Sequence, residues 1–191
     1  MLQCAVKGEL PRRLFFGLSL PDSIRAVTRA CAESAAACVP GRYVLAGNHH
    51  VTLAFLGEVP PERLRDARDV LARCATAFPA PTLTLCGFDH FGRRENAILI
   101  LRVQSDPPLA PLHDRLVQAL TAAGLPADPG PFSPHITLAR HAVLPDALPA
   151  CPPASFRAVQ AHVFLSARDG AGVLRYTPLE TVPFSCPGGE N

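Results

Sequence analysis

No stretch of this chain is apolar for long enough to cross a membrane. The uninterrupted apolar runs fall far short of the roughly 18 residues that a helical span needs, and Met1 to Lys7 lack the apolar region of a signal peptide. A cytoplasmic location with no membrane partner is the expectation. Lysine is nearly missing as well: of 18 basic residues, Lys7 alone is a lysine, a coding bias that fits the 21 prolines and abundant alanine. The net charge of +2 is too small to drive nucleic-acid binding by overall charge, which leaves only a local patch for that role. No C-x-x-C pair occurs among Cys4, Cys31, Cys38, Cys74, Cys86, Cys151 and Cys186, and an odd count argues against a disulfide framework. The cysteines read as reduced, mostly buried small side chains. H-E-x-x-H, a carboxylate cluster beside the histidines and a Walker-type glycine loop are all missing, so neither a metal nor another cofactor is expected.

What the chain does contain is a doubled motif. His50-Val51-Thr52-Leu53-Ala54-Phe55-Leu56-Gly57 returns in shortened form as His135-Ile136-Thr137-Leu138-Ala139-Arg140. In an extended strand alternate side chains share a face, so His50 and Thr52 point together, roughly 6.6 Å apart, and His135 and Thr137 do the same. Adjacent His49 and His50 point oppositely, which argues against a metal held between them.

The surroundings repeat too. Pro21 stands 29 residues before His50, and Pro107 stands 28 before His135. In each half an apolar strand (14–20, then 97–103) is followed by a proline-started helix (to about 38, then to about 123), a loop and the His strand. A further helix is expected from Pro60 to about Phe78, and Thr82 to Phe88 pairs with the second apolar strand as a hairpin. Closing strands are expected over 156–167 and 173–182. Strands and helices mixed in this way predict an α+β fold of two similar lobes, with the active cleft between them. One domain over 13–182 is expected, with 1–12 and 185–191 as flexible termini.

Two imidazoles on opposite sides of one phosphate can act as base and acid in a single displacement, because their ordinary pKa of about 6.5 lets one be neutral and the other protonated near neutral pH. Thr52 and Thr137 hydroxyls would donate to the non-bridging oxygens. Arg140 could clamp the phosphate, although strict alternation places it opposite His135 and demands a twist or bulge. His141 is expected beyond the cleft and solvated. His90, His113 and His162 have no partner motif and receive no role. Arg93 and Arg94 read as a solvated turn, and Phe15, Phe16 and Phe132 as core residues, one of which could stack on a base if it lies near the cleft.

The segments Arg13 to Pro21, Asn48 to Val59 and Pro134 to Arg140 resemble the 2H phosphoesterase superfamily, in its branch of bacterial and archaeal RNA 2′,3′-cyclic phosphodiesterases, formerly called 2′-5′ RNA ligases. The likeness runs from about 13 to 182 and includes Ser166 and Tyr176. His49 departs from the apolar residue usual at that position. The resemblance implies a bilobal, pseudo-two-fold fold and metal-independent hydrolysis of a 2′,3′-cyclic phosphate to a 2′-phosphomonoester. It also implies His50 as proton donor to the leaving 3′ oxygen and His135 as the acceptor that activates water. The expected partners are RNA or oligonucleotide ends carrying a 2′,3′-cyclic phosphate, and cyclic nucleotides, bound by a monomer. Joining such an end to a 5′-hydroxyl by the reverse reaction, or a binding module without turnover, are the alternatives.

Overall fold

A computed structural model describes residues 10–185. Among these, nine strands and three helices follow in the order β1 (Arg12–Ser19), α1 (Asp22–Ala36), β2 (Arg42–Tyr43), β3 (His50–Val59), α2 (Leu64–Ala75), β4 (Thr82–Phe91), β5 (Ala97–Asp106), α3 (Ala110–Ala122), β6 (His135–Ala142), β7 (Ser155–Arg157), β8 (Gln160–Arg168) and β9 (Leu174–Pro183). They build two antiparallel sheets, ordered β3-β1-β8-β9 and β2-β6-β5-β4-β7. The fold is α+β, as expected, and the doubled motif is visible in it: β1 lies beside its His strand β3, and β5 beside its His strand β6.

Local sequence explains the elements that frame these strands. Leu14 to Leu18 are all buried, because β1 sits between two neighbours in the centre of its sheet. A Cβ on Gly17 would lie 2.9 Å from the Val51 carbonyl oxygen, so glycine is what lets β3 approach this closely. Pro111 occupies the first turn of α3, where its missing N–H costs no helical bond. Gly124, at φ +65°, ends that helix, and the Leu125 amide returns to the Leu120 carbonyl at 2.9 Å. α3 packs across β3, and α2 packs across β8 and β9. One apolar cluster, including Phe16, Leu53, Leu71, Leu99, Leu116 and Leu138, runs through both sheets.

Four expectations need correction. The run 156–167 is two strands in different sheets: Phe156 pairs with Leu83 at the edge of the second sheet, whereas β8 starts at Gln160 between β1 and β9. Alternation reads the facing of residues within a strand and is blind to a change of sheet. Second, α1 stops at Ala36, short of the expected end at about 38, so Cys38 lies beyond it and is exposed, not buried. Third, Cys31 and Cys151 are joined in a disulfide with Cα atoms 5.8 Å apart across 120 residues of sequence. An odd count rules out complete pairing but not one bridge between residues that the fold brings within reach. Cys38, Cys74 and Cys86 are free, and Cys4 and Cys186 lie outside the described residues. α2 is also shorter than 60–78, beginning at Leu64 after a single 3-10 turn. Of the expected flexible termini, 1–9 and 186–191 lie outside the described residues, while the Ser185 amide donates to the Phe78 carbonyl at 3.0 Å.

Candidate active site

The site is built from a backbone irregularity that the two His strands share. In β3, Thr52 pairs with Gly17 and Ala54 with Phe16, leaving Leu53 without a partner. In β6, Thr137 pairs with Ile100 and Ala139 with Leu99, leaving Leu138 without one. Each bulge falls three residues after its histidine. An extra residue reverses the alternation beyond it: Leu53 and Ala54 are both buried, as are Leu138 and Ala139. The next residues, Phe55 and Arg140, are thereby returned to the face of His50 and His135.

Both bulge carbonyls are held. The Leu53 carbonyl accepts from His113 Nδ1 at 2.7 Å, and the Leu138 carbonyl accepts from the Val44 amide at 2.8 Å. His113, given no role from sequence, therefore braces the first His strand from α3, and nothing in the linear pattern announces it. His162 bridges the Ser19 and Thr181 hydroxyls at 2.9 and 3.0 Å.

His50, Thr52, His135, Thr137 and Arg140 all line one cavity of about 520 Å³. The two histidines are oriented alike. His50 Nδ1 donates to the Asn48 carbonyl and His135 Nδ1 to the Ser133 carbonyl, each at 2.7 Å and each two residues upstream. Fixing the Nδ1 proton in this way leaves Nε2 as the basic nitrogen of both rings. His50 Nε2 lies 3.0 Å from Thr52 Oγ1, from which the neutral ring accepts a hydrogen bond.

Burial pushes the His50 pKa down to about 4, against the raising effect of the Asn48 bond and with the positive charges of His135, His49 and Arg140 adding to the lowering. Aromatic rings supply much of that burial: Phe15 and Tyr176 lie 4.7 and 5.0 Å from the imidazole, centroid to centroid. His135 is also lowered by burial, with Arg140 contributing in the same direction. Both rings are therefore neutral at neutral pH before an anion arrives.

Residues that the sequence did not single out complete the cavity. Arg13 lines it with its guanidinium carbon 5.0 Å from the Phe55 ring centroid, and Arg168 lines it while donating to the Gly172 carbonyl at 2.6 Å. Asn48 is 6% exposed. Its Nδ2 donates to the Leu174 carbonyl at 2.8 Å and its Oδ1 accepts from the Tyr176 amide at 3.0 Å, so it ties β9 to the start of β3 while its own carbonyl orients His50. Asn48→Ala strands two backbone groups of β9, and a loss of about 2 kcal/mol is expected. Urea unfolding checks this, and an unmoved midpoint would deny the side chain its cross-linking role.

The remaining sequence candidates stand elsewhere. His49 turns away from the cavity, as alternation expects, and its Nδ1 lies 2.9 Å from Thr28 Oγ1. Burial lowers it to about 4, so the imidazole there is neutral. His141 is exposed and hydrogen-bonded to Asn96 Oδ1 at 2.9 Å. Arg94 holds the Pro145 carbonyl. Phe16 is core, Phe15 is buried against His50, and Phe132 stacks on His113 at 4.5 Å. Among the described residues no three His, Cys, Asp or Glu side chains are grouped so as to hold a metal, and no helix is long and apolar enough to cross a membrane.

Residues 20–170 match the family model of the 2′-5′ RNA ligase superfamily. The chain belongs to that superfamily. Among its members, the RNA 2′,3′-cyclic phosphodiesterase of Escherichia coli K12 is 33% identical over 175 residues, covering 89% of this chain and 95% of that one. The Geobacillus stearothermophilus enzyme of the same name is 28% identical over 133 residues, and the match spans 68% of this chain but only 42% of that protein. In three dimensions the superfamily is represented by crystalline E. coli LigT complexed with 3′-AMP, which superposes with a TM-score of 0.75 at 32% identity over 91% of this chain and 98% of that one. Membership in the 2′-5′ RNA ligase superfamily accounts for the 2H resemblance of the motifs.

Proposed function

We propose that this protein hydrolyses RNA and nucleoside 2′,3′-cyclic phosphates to 2′-phosphomonoesters without a metal, through residues 13–182 acting as one bilobal domain. The observation that carries the proposal is the matched pair of imidazoles, each pinned at Nδ1 to the carbonyl two residues upstream and each lining the same cavity with a threonine beside it. The E. coli relative's name, RNA 2′,3′-cyclic phosphodiesterase, supports the substrate class.

His135 Nε2 takes a proton from water as the water oxygen attacks phosphorus. His50 Nε2 delivers a proton to the departing 3′ oxygen, a poor leaving group as an alkoxide. Charge that builds on the non-bridging oxygens is met by Thr52, Thr137 and Arg140. The lowered pKa values fit this sequence of events. In the free protein His50 is neutral, and the phosphate's negative charge, once seated between the rings, favours the imidazolium that the acid step requires.

The test is incubation of the purified protein with EDTA and a 2′,3′-cyclic mononucleotide, with the product identified by chromatography. A nucleoside 2′-phosphate is expected. A 3′-phosphate would reverse which oxygen His50 serves, and a cyclic nucleotide bound but never opened would make the protein a binding module.

A further inference from the structure

A separate cavity of about 360 Å³ lies between α1 and the segment that runs from β2 to β3. Ala32 and Ala36 line it from the helix, and Tyr43, Val44, Leu45 and His49 from the segment. Val44 lines the catalytic cavity as well, so the two cavities share one wall.

Most polar groups around this cavity already have partners. The Tyr43 hydroxyl donates to the Val39 carbonyl at 3.0 Å, and Arg29 and Glu33, both exposed, pair with each other at 3.8 Å. His49 differs. It is 2% exposed, and its Nε2 is the one buried side-chain nitrogen or oxygen among the described residues that finds no hydrogen-bond partner. Nδ1 is taken up by the Thr28 hydroxyl. The Val44 carbonyl is near enough to the ring to favour its charged form, yet it closes no hydrogen bond to Nε2. A buried polar atom left in this state costs stability unless something meets it. An apolar residue is usual at this position in the chains that this one resembles, so packing alone does not call for an imidazole.

We propose that this cavity binds a small aromatic alcohol, its hydroxyl on His49 Nε2 and its ring against Ala32, Ala36 and Leu45. One polar atom on a planar apolar body matches a largely apolar cavity with one unmet polar atom. A hydroxyl suits either neutral tautomer of the imidazole, since it can donate to a bare Nε2 or accept from Nε2–H. Ala32 and Ala36 stand four residues apart on one face of α1 and leave room there for a flat ring, and the volume is within the range of small-ligand sites. Nε2 is covered from solvent, so entry needs a side chain to give way, and Leu45, 43% exposed, is the one that does. The site is independent of the hydrolytic reading above.

Phenol and toluene are the probes, matched in shape and different in the hydroxyl. Both are titrated into protein carrying 15N-labelled histidine and followed by NMR. Phenol is expected to move the His49 Nε2 signal, and the ratio of phenol to toluene affinity is expected to fall about fivefold in His49→Leu, the scale of one net hydrogen bond. Ala36→Phe, at an exposed position at the end of α1, fills the cavity while leaving His49 in place, and should abolish binding of both probes. An affinity ratio unchanged in His49→Leu overturns the proposal, as does a His49 Nε2 signal that stays put at saturating phenol. Phenol binding that survives Ala36→Phe would place the ligand elsewhere, and a wild-type protein that binds neither probe would leave the cavity without a ligand of this class; each also overturns it.

Discussion

Alanine in place of His50 or His135 is expected to lower kcat at least about 100-fold, the usual contribution of a positioned general acid or base. The two losses should be told apart by the leaving group. A substrate with sulfur at the bridging 3′ position departs as a thiolate and needs little protonation, so it should restore much of the rate of His50→Ala and none of that of His135→Ala. Rescue of His135→Ala alone would exchange the two assignments, and near-normal turnover of either variant on the ordinary substrate would remove that residue from the reaction. The wild-type rate should pass through a maximum with pH, because one ring must hold a proton while the other lacks it. Its position follows from the lowered pKa values. The pH at which activity is lost for want of a proton on His50 should lie higher in kcat than in kcat/KM, since the bound phosphate raises the His50 pKa above its free value of about 4. A plateau in place of a maximum would argue against paired acid and base.

How much of this was legible in the amino-acid sequence depends on whether a feature belongs to one strand or to two. The pairing of His50 with Thr52 and of His135 with Thr137 is a property of single strands with a period of two, and it was readable, as was the recurrence of strand, helix and His strand. A bulge is a relation between strands. Leu53 and Leu138 are superfluous only when counted against Gly17 and Phe16, or Ile100 and Leu99, across the sheet, so strict alternation placed Arg140 on the wrong face. The change of sheet between Arg157 and Gln160 and the Cys31–Cys151 bond escaped for the same reason, since both depend on proximity between segments far apart in the chain. Asn48 could be read as the end of a loop, but its hydrogen bonds to Leu174 and Tyr176 reach 126 and 128 residues ahead. His113 stands in a helix whose pattern is that of an ordinary amphipathic element. Its bond to Leu53 has meaning only once the Leu53 carbonyl is known to stand out of the ladder.

Arg140 is where these levels meet, and it carries the second large effect. The bulge at Leu138 sets its guanidinium on the wall of the cavity, and its charge contributes to lowering both His50 and His135. One residue thus acts on two quantities with opposite consequences. In its proposed role, as a planar donor to the non-bridging oxygens, it would stabilise the transition state, so Arg140→Ala should lower kcat/KM about 100-fold. Arg140→Lys should recover part of that loss, because the charge is kept while the two-pronged geometry is not. As a nearby cation it makes imidazolium unfavourable, so its removal should raise the pKa of both histidines. The acid then keeps its proton to higher pH, the base needs a higher pH to lose its own, and the whole activity maximum of Arg140→Ala moves upward while its height falls. The lysine variant, still charged, should keep the wild-type position. A side chain that merely supported the strand would change the height and leave the maximum where it was. A maximum unmoved in the alanine variant would therefore place the Arg140 charge outside the reaction, whatever the rate.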